Sequence, residues 1–243
     1  MKSPWLLPPD DLTLGDDEVH IWRVTLDLPD AAVQTFRQLL SSDETVRADR
    51  YHFERDRRHF TVARGVLRSL LGRYLSLAPA ELSFQYSNYG KPDVVLKSPS
   101  ELKFNLAHSG GIALYAFTKV ADVGVDVEFI RPEFTGDEIA RRYFSECEVS
   151  ALQTLGDVQR HQAFFDCWTR KEAFIKAKGM GLSLGLDQFD VTLTPHEEPA
   201  LLCTRWDEAE ASRWSIRAIE VGENYKGAIA VQAHDWQAKL FEF

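Results

Sequence analysis

The sequence contains little cysteine and no long apolar run. Its three cysteines, Cys147, Cys167 and Cys203, are scattered and form no C-x-x-C pair, which argues against a disulfide framework or a cysteine-based zinc site. No stretch approaches the roughly 20 apolar residues of a membrane span. The apolar run near the N-terminus is too short for a signal peptide. We therefore expect a cytoplasmic protein that acts away from membranes.

Positive charge is scarce overall but concentrated in one segment. The net charge of −9 argues against general nucleic-acid binding. Eight arginines nevertheless lie close together, at Arg47, Arg50, Arg55, Arg57, Arg58, Arg64, Arg68 and Arg73. Within this segment, Arg57, Arg64 and Arg68 are spaced to lie off the apolar stripe of a predicted helix. The segment indicates either a local anion site or a solvated helix face.

Helices followed by short strands occur twice along the chain. Helices are predicted over 60–75 and 160–178, and several strands joined by short turns follow each of them, which indicates antiparallel sheets. We predict an α+β fold of two similar lobes, residues 1–122 and 123–243, related by a pseudo-twofold axis. Each lobe has a small, mostly antiparallel sheet packed with helices. This repeat is inferred from the order of the elements, because the halves share no visible sequence identity.

Two carboxylates interrupt the apolar run at residues 123–129. Residues two apart in a strand point the same way, so Asp126 and Glu128 share one face of the predicted strand. Like charges are costly together unless a cation lies between them, and carboxylate oxygens suit Mg²⁺. A solvated strand edge is the alternative for this pair alone.

Further charged residues lie on the predicted helices of the second half. Glu172 and Lys176 are four residues apart and share a helix face, where a surface ion pair would contribute only ~0.3–0.5 kcal/mol. Ser145 and Glu148 have the spacing of a capping box at a helix start. Taken one at a time, these pairs do not identify a site.

Together these segments resemble the 4′-phosphopantetheinyl transferases, specifically the monomeric Sfp-type branch. The matching blocks, in family order, are Gly90-Lys-Pro92, Phe104-Asn-Leu-Ala-His-Ser109, Gly124-Val-Asp-Val-Glu128, Phe144-Ser-x-x-Glu148, Trp168-x-x-Lys-Glu-Ala-x-x-Lys-Ala177 and Gly179-x-Gly-Leu182. The resemblance implies a pseudo-dimeric α+β fold. It also implies transfer of the phosphopantetheine arm of coenzyme A to a serine of an apo acyl or peptidyl carrier protein, with release of adenosine 3′,5′-bisphosphate. Carriers of fatty-acid, polyketide and nonribosomal-peptide synthesis are all compatible with it.

The resemblance also implies roles for individual residues. Mg²⁺ would be held by Asp126, Glu128 and Glu172, and Lys176 would lie beside the phosphates or protonate the leaving group. Coenzyme A would be bound by His108 at a phosphate, by Lys91 and Pro92 at the adenine, and by Arg64, Arg47 and Arg58 at the 3′-phosphate. Glu148 is a candidate general base for the carrier serine, and plain helix capping is the equal alternative.

The sequence departs from the family pattern at Ala107, where serine is common, and at Val127, which offers no metal ligand. Two other functions stay open: a carrier-binding homologue without catalysis, and a Mg²⁺-dependent pyrophosphohydrolase acting on coenzyme A or a nucleotide.

Carrier proteins of this reaction are typically acidic, so docking requires a local basic or apolar patch. Met180 and Leu182 are candidates for that patch, with core packing as the alternative. A chain with two lobes is expected to act as a monomer.

Overall fold

The order of the elements repeats along the chain. The structure is a computed structural model that describes residues 5–96, 100–194 and 197–243. Each half begins with a strand, continues through three α-helices and a two-stranded hairpin, and then adds two further strands. The predicted α+β class is confirmed. Among the described residues, no helix combines the length and the apolar character needed to cross a membrane.

The first half builds an antiparallel sheet in the order β1-β5-β4. Its elements are β1 (Glu18–Thr25), α1 (Asp30–Arg37), α2 (Ser42–Asp49), α3 (Glu54–Leu75), β2 (Ser83–Tyr86), β3 (Pro92–Val95), β4 (Lys103–Ser109) and β5 (Ile112–Thr118). Helix α3 starts at Glu54, six residues before the predicted start at Phe60. The prediction missed its first turns because they are polar and carry no apolar stripe. Strands β2 and β3 form a separate hairpin.

The second half repeats this strand order as β6-β10-β9. Its elements are β6 (Val123–Phe129), α4 (Asp137–Tyr143), α5 (Glu146–Gln153), α6 (Asp157–Lys178), β7 (Phe189–Val191), β8 (Leu201–Thr204), β9 (Ser215–Ile219), β10 (Tyr225–Val231) and β11 (Gln237–Glu242). The last strand, β11, returns to the first sheet and pairs parallel to β1. Neither β3 nor β11 is among the predicted strands. The division into residues 1–122 and 123–243 stays a prediction, because β11 belongs to the first sheet.

The two sheets pack against each other between the two long helices. Helix α3 covers one face of the first sheet, where Leu70 joins the same apolar cluster as Trp22. Between the sheets, Val125 and Val127 of β6 lie in one cluster with Ala116 of β5. Because side chains alternate along a strand, the intervening positions of β6 face α6 on the other side. The carboxylates of β6 are therefore directed at the long helix of the second half.

Candidate active site

Strand β6 and helix α6 approach each other closely at Gly124. A Cβ atom at this position would lie 2.1 Å from the Ala173 carbonyl oxygen and 2.3 Å from the Ala177 nitrogen. Only glycine fits such a contact without moving a backbone. The close crossing brings Asp126, two residues farther along β6, next to Lys176 of α6.

Asp126 has one partnered and one unpartnered oxygen. Its carboxylate is buried, and Oδ1 accepts a hydrogen bond from Lys176 Nζ at 2.5 Å. The other oxygen, Oδ2, is buried and has no hydrogen-bond partner among the described residues. A buried oxygen without a donor costs free energy, so its presence points to a ligand that supplies positive charge or a proton.

The electrostatics of the site follow from burial and from three nearby carboxylates. Burial raises the pKa of Asp126 to about 7; the charge of Lys176 opposes this effect, and Glu128 and Glu172 add to it. Burial also raises the pKa of Glu172. Burial acts to lower the pKa of Lys176, but the charge and hydrogen bond of Asp126, together with the charges of Glu172 and Glu128, raise it on balance. These four residues, Asp126, Glu128, Glu172 and Lys176, are called the carboxylate site below.

Strand β4 supports the carboxylate site from the first sheet. Ser109 Oγ donates to Glu128 Oε2 at 2.8 Å and accepts from the backbone N–H of Phe129 at 3.1 Å. Asn105 Oδ1 accepts from the backbone N–H of Val125 at 2.9 Å. Side chains of β4 thus bind the edge of β6 and fix one carboxylate oxygen. The sequence prediction missed these two roles, although both residues lie in the block that contains His108.

The residues fit a hard cation in chemistry but do not form a closed metal site. All three acidic side chains offer oxygen donors, and the unpartnered Asp126 Oδ2 is available for a bond. The part of the chain that the structure describes contains no preformed group of three His, Cys, Asp or Glu side chains able to hold a metal. In this structure the neighbouring cation of Asp126 is Lys176. A bound ion would have to draw the three carboxylates together.

His108 lies on β4 and is exposed. Partial withdrawal of the imidazole from water by the neighbouring protein lowers the pKa of His108, and the positive charge of Lys176 acts in the same direction. His108 directly precedes Ser109, whose hydroxyl donates to Glu128 of the carboxylate site. This placement is compatible with the predicted contact to a coenzyme A phosphate.

The turn between β2 and β3 borders the same site. It carries Lys91 and Pro92, which line a cavity of about 270 Å³ together with Asn105, Glu172 and Lys176. Withdrawal from water lowers the pKa of the Lys91 ammonium, which donates to the Ala177 carbonyl at 3.0 Å. The backbone of the turn remains placed to border a ligand, whereas the Lys91 side chain is held by α6.

Arg64 is buried instead of lying on a solvated helix face. Its Nε donates to Glu44 Oε1 at 2.5 Å, and its Nη2 donates to Tyr86 Oη at 2.8 Å. Arg68 Nε donates to the second oxygen of Glu44 at 2.6 Å. Glu44, Arg64 and Arg68 are called the arginine cluster below. This corrects the predicted position of both arginines: a carboxylate from α2, which the periodicity of α3 cannot reveal, takes up their charge. The predicted contact of Arg64 with the 3′-phosphate is not supported by this geometry.

The other two predicted phosphate ligands differ from each other. Arg58 forms an ion pair with Asp30 and donates to the Leu28 carbonyl at 2.7 Å. Arg47 is exposed, and its guanidinium lies 5.2 Å from the centre of the Phe60 ring. Within the described part of the chain, Arg47 has no ion pair. Of the three predicted arginines, Arg47 is the one whose charge is free for a ligand.

Glu148 is a buried cap rather than an accessible base. Its Oε2 accepts from the Ser145 N–H at 3.0 Å and lies 2.8 Å from Lys171 Nζ, and its Oε1 accepts from the Val191 N–H at 2.9 Å. Only 3% of the residue is exposed. The capping alternative matches this geometry, because both oxygens of Glu148 are occupied by protein donors and neither is free to act as the predicted general base. Met180 is exposed, as a docking contact requires, whereas the side chain of Leu182 lies outside what the structure describes.

Known proteins resemble this chain over most of its length. A family model described as the 4′-phosphopantetheinyl transferase superfamily matches residues 122–230, and one described as 4′-phosphopantetheinyl transferase, N-terminal, matches residues 29–119. The chain is 40% identical over 244 residues to the 4′-phosphopantetheinyl transferase HetI of a Nostoc species, covering 100% of both chains. It is 30% identical over 203 residues to the 4′-phosphopantetheinyl transferase Sfp of Bacillus subtilis, covering 84% of this chain and 87% of the relative.

Proposed function

The chain belongs to the 4′-phosphopantetheinyl transferase family and is an enzyme of this kind, and we propose that it modifies apo acyl or peptidyl carrier proteins with coenzyme A. The carrier serine oxygen attacks the phosphorus that bears the pantetheine arm. A new P–O bond forms, the bond to the adenylate phosphate breaks, and adenosine 3′,5′-bisphosphate leaves. The serine proton passes to solvent or to the departing phosphate, so the reaction needs no oxidant or second co-substrate.

One observation carries the proposal: the buried Asp126 carboxylate lies beside Lys176, and its Oδ2 has no hydrogen-bond partner within the described ranges. Buried polar atoms without partners are rare and concentrate where a ligand completes them. We propose that Asp126, Glu128 and Glu172 hold Mg²⁺. When bound, Mg²⁺ supplies charge that offsets the negative charge of the pyrophosphate. Ser109 would keep one Glu128 oxygen in place, because it already donates to that oxygen.

The protein groups around the carboxylate site would position coenzyme A. The Lys176 ammonium would shift from Asp126 alone to a position shared with the phosphates, where it stabilises the departing phosphate as a point charge. His108 would donate to a phosphate from the β4 side. The backbone at Lys91 and Pro92 would border the adenine, and Arg47 would bind the 3′-phosphate, for which a guanidinium has matching geometry.

We also propose that the enzyme acts as a cytoplasmic monomer. Both sheets that meet at the carboxylate site come from one chain, so no second subunit is needed to complete it. Cys147, Cys167 and Cys203 are all free thiols, which suits a reducing compartment. A transferase for carrier proteins would encounter both substrates there.

The test is the intact mass of an apo carrier protein after incubation with the enzyme, coenzyme A and Mg²⁺. We expect a mass gain of one phosphopantetheine, no gain with EDTA, and no gain on a carrier whose acceptor serine is replaced by alanine. Binding of coenzyme A without a gain on fatty-acid, polyketide and peptide carriers would instead indicate an inactive carrier-binding homologue. Consumption of coenzyme A without a gain would indicate a pyrophosphohydrolase.

A further inference from the structure

Lys91 binds the end of the helix that carries Glu172 and Lys176. Its Nζ donates to the Ala177 carbonyl at 3.0 Å, with a longer 3.4 Å contact to the Val123 carbonyl. The last carbonyls of a helix have no partner within the helix, and a cation there is favourable. One ammonium thus joins the last turn of α6 to the first residue of β6.

This contact lies at the close crossing of β6 and α6. Gly124 follows Val123, and it touches the α6 backbone at Ala173 and Ala177. Asp126 lies two residues beyond that crossing, and Lys176 directly precedes Ala177. A shift of α6 along β6 would therefore change the distance between the two charged groups.

Two glycines after α6 let the turn of Lys91 approach. Gly179 and Gly181 both have positive φ, at +68° and +55°, where other residues are strained. A Cβ atom at Gly179 would lie 3.3 Å from the Lys91 side chain, and one at Gly181 would lie 3.3 Å from Tyr89 Cβ. The turn at residues 87–92 and the helix end at residues 177–181 are called the clasp.

We propose that Lys91 is a positioning residue. Through the clasp, its ammonium holds the end of α6 against β6 and keeps Lys176 and Glu172 at the distance from Asp126 that the reaction requires. This inference rests on the proposed transferase function. It gives the Lys91 side chain a role distinct from the adenine contact, which is left to the backbone of the turn. It also links the part of the turn that would border coenzyme A to α6, the helix that carries Glu172 and Lys176.

Two variants separate this role from a loss of charge alone. Lys91→Met keeps the length and apolar stem of the side chain but removes the ammonium. Lys103→Met is the matched control, because Lys103 lies with Lys91 along a second, neighbouring cavity of about 400 Å³ and forms only a 3.8 Å pair with Asp122, both side chains being half exposed. Both variants change the net charge equally.

The first measurement is amide hydrogen exchange of the full chain without coenzyme A or carrier. We expect Lys91→Met, and not Lys103→Met, to speed exchange in the last turn of α6. The second is steady-state transfer with a separate titration of coenzyme A binding. We expect kcat of Lys91→Met to fall roughly tenfold to a hundredfold, because displaced catalytic groups cost rate, while the Kd for coenzyme A changes less than threefold.

Several outcomes would overturn the inference. Unchanged exchange in α6 would remove the clasp as a restraint. A raised Kd with unchanged kcat would make Lys91 a ligand for coenzyme A, and a lower melting temperature with normal kcat would make it structural only. A wild type that transfers nothing would overturn the proposed function together with this role, whereas an active wild type with an unaffected Lys91→Met variant would overturn this role alone.

Discussion

Two groups of buried charges in this chain differ in how completely they are hydrogen-bonded. In the arginine cluster, each oxygen of Glu44 accepts from a different guanidinium, and Arg68 also donates to the carbonyls of Pro79 and Leu82. In the carboxylate site, Asp126 has one ammonium partner and one oxygen with none among the described residues. Asp126 and Glu44 are both buried, so burial of the central carboxylate does not separate the two groups.

The difference indicates what each group does. A buried network with every partner in place specifies how elements pack, and here it joins α2, α3 and the segment before β2. An incomplete network retains unfavourable energy until a ligand arrives. The completeness of hydrogen bonding thus distinguishes a structural cluster from a candidate site. In the sequence the two groups look alike, because both consist of charged residues on helices or strands.

The largest effect is expected from removing the charge of Asp126. Asp126→Asn keeps the size of the side chain but offers a weaker metal ligand, so we expect transfer to fall about 10³-fold, which corresponds to ~4 kcal/mol. We expect little loss of thermal stability, because burial raises the pKa of Asp126 to about 7 and its charged form is therefore unfavourable in the fold. Initial rates and a melting curve test both statements.

Asp122→Asn is the matched control for this prediction, since Asp122 is half exposed and pairs only loosely with Lys103, at 3.8 Å. Its rate should stay close to that of the wild type. Transfer by Asp126→Asn within tenfold of the wild type would show that the carboxylate site is not the reaction centre.

The opposite result is expected in the arginine cluster. Glu44→Gln leaves two buried guanidinium groups without a carboxylate, and we expect the free energy of unfolding to fall by about 3 kcal/mol. Transfer by the folded fraction should change far less than in Asp126→Asn. Urea unfolding followed by circular dichroism gives the free energy. Glu146→Gln, an exposed glutamate in the first turn of α5, serves as control, and an equal loss there would remove the distinction.

The smallest effect concerns a third group at the edge of the first sheet. Glu18 binds Lys239 at 2.5 Å and His20 at 3.1 Å. The bond from Lys239, with that from the Gly15 N–H, lowers the pKa of Glu18 from 4.5 to about 2. A carboxyl with a lowered pKa stabilises the fold above pH 4.5 and loses that effect as the pH falls toward 2.

Burial lowers the pKa of His20 from 6.5, so protonation below that pH also favours the unfolded chain. We therefore expect the contribution of Glu18 and His20 to stability to decline from about pH 6.5 downward, with a further decline below pH 4.5. Protonation of Asp126, whose pKa burial raises to about 7, acts in the opposite direction, so the test compares variants with the wild type. Lys239→Met should make the lower part of this decline shallower in urea titrations at several pH values. Lys119→Met, which removes a looser ion pair of 3.8 Å with Asp16, should leave it unchanged. Parallel curves for Lys239→Met and the wild type would contradict the assignment.

The sequence predicted those parts of the fold that have a local signal. Strand β6 has the predicted bounds, and α6 ends at Lys178, the predicted last residue, with Gly179 as its C-cap. Strand β11 was missed because its pairing with β1 depends on residues at the far end of the chain. Strand β3 was missed because it is short and begins at a proline, which normally argues against a strand.

The sequence predicted which residues form the candidate site better than it predicted their hydrogen-bond partners. Alternation along β6 put Asp126 and Glu128 on one face, and spacing along α6 put Glu172 and Lys176 on one face. The family resemblance implied that the two pairs share a site, and the structure brings Asp126 and Lys176 together. The partners of Arg64 and Glu148 come from other elements, so no periodicity could indicate that both are already occupied. The role of Gly124 depends on the distance between two backbones, which sequence alone does not contain.

The return of β11 to the first sheet has a consequence for synthesis on the ribosome. The contact between Arg23 and Glu242 joins residues 219 positions apart, and contacts of such separation form late. The edge of β1 therefore stays uncovered while nearly the whole chain is being translated. An open strand edge can recruit a neighbouring nascent chain. The hazard ends only when residues 237–242 emerge, so the half made first is the half completed last.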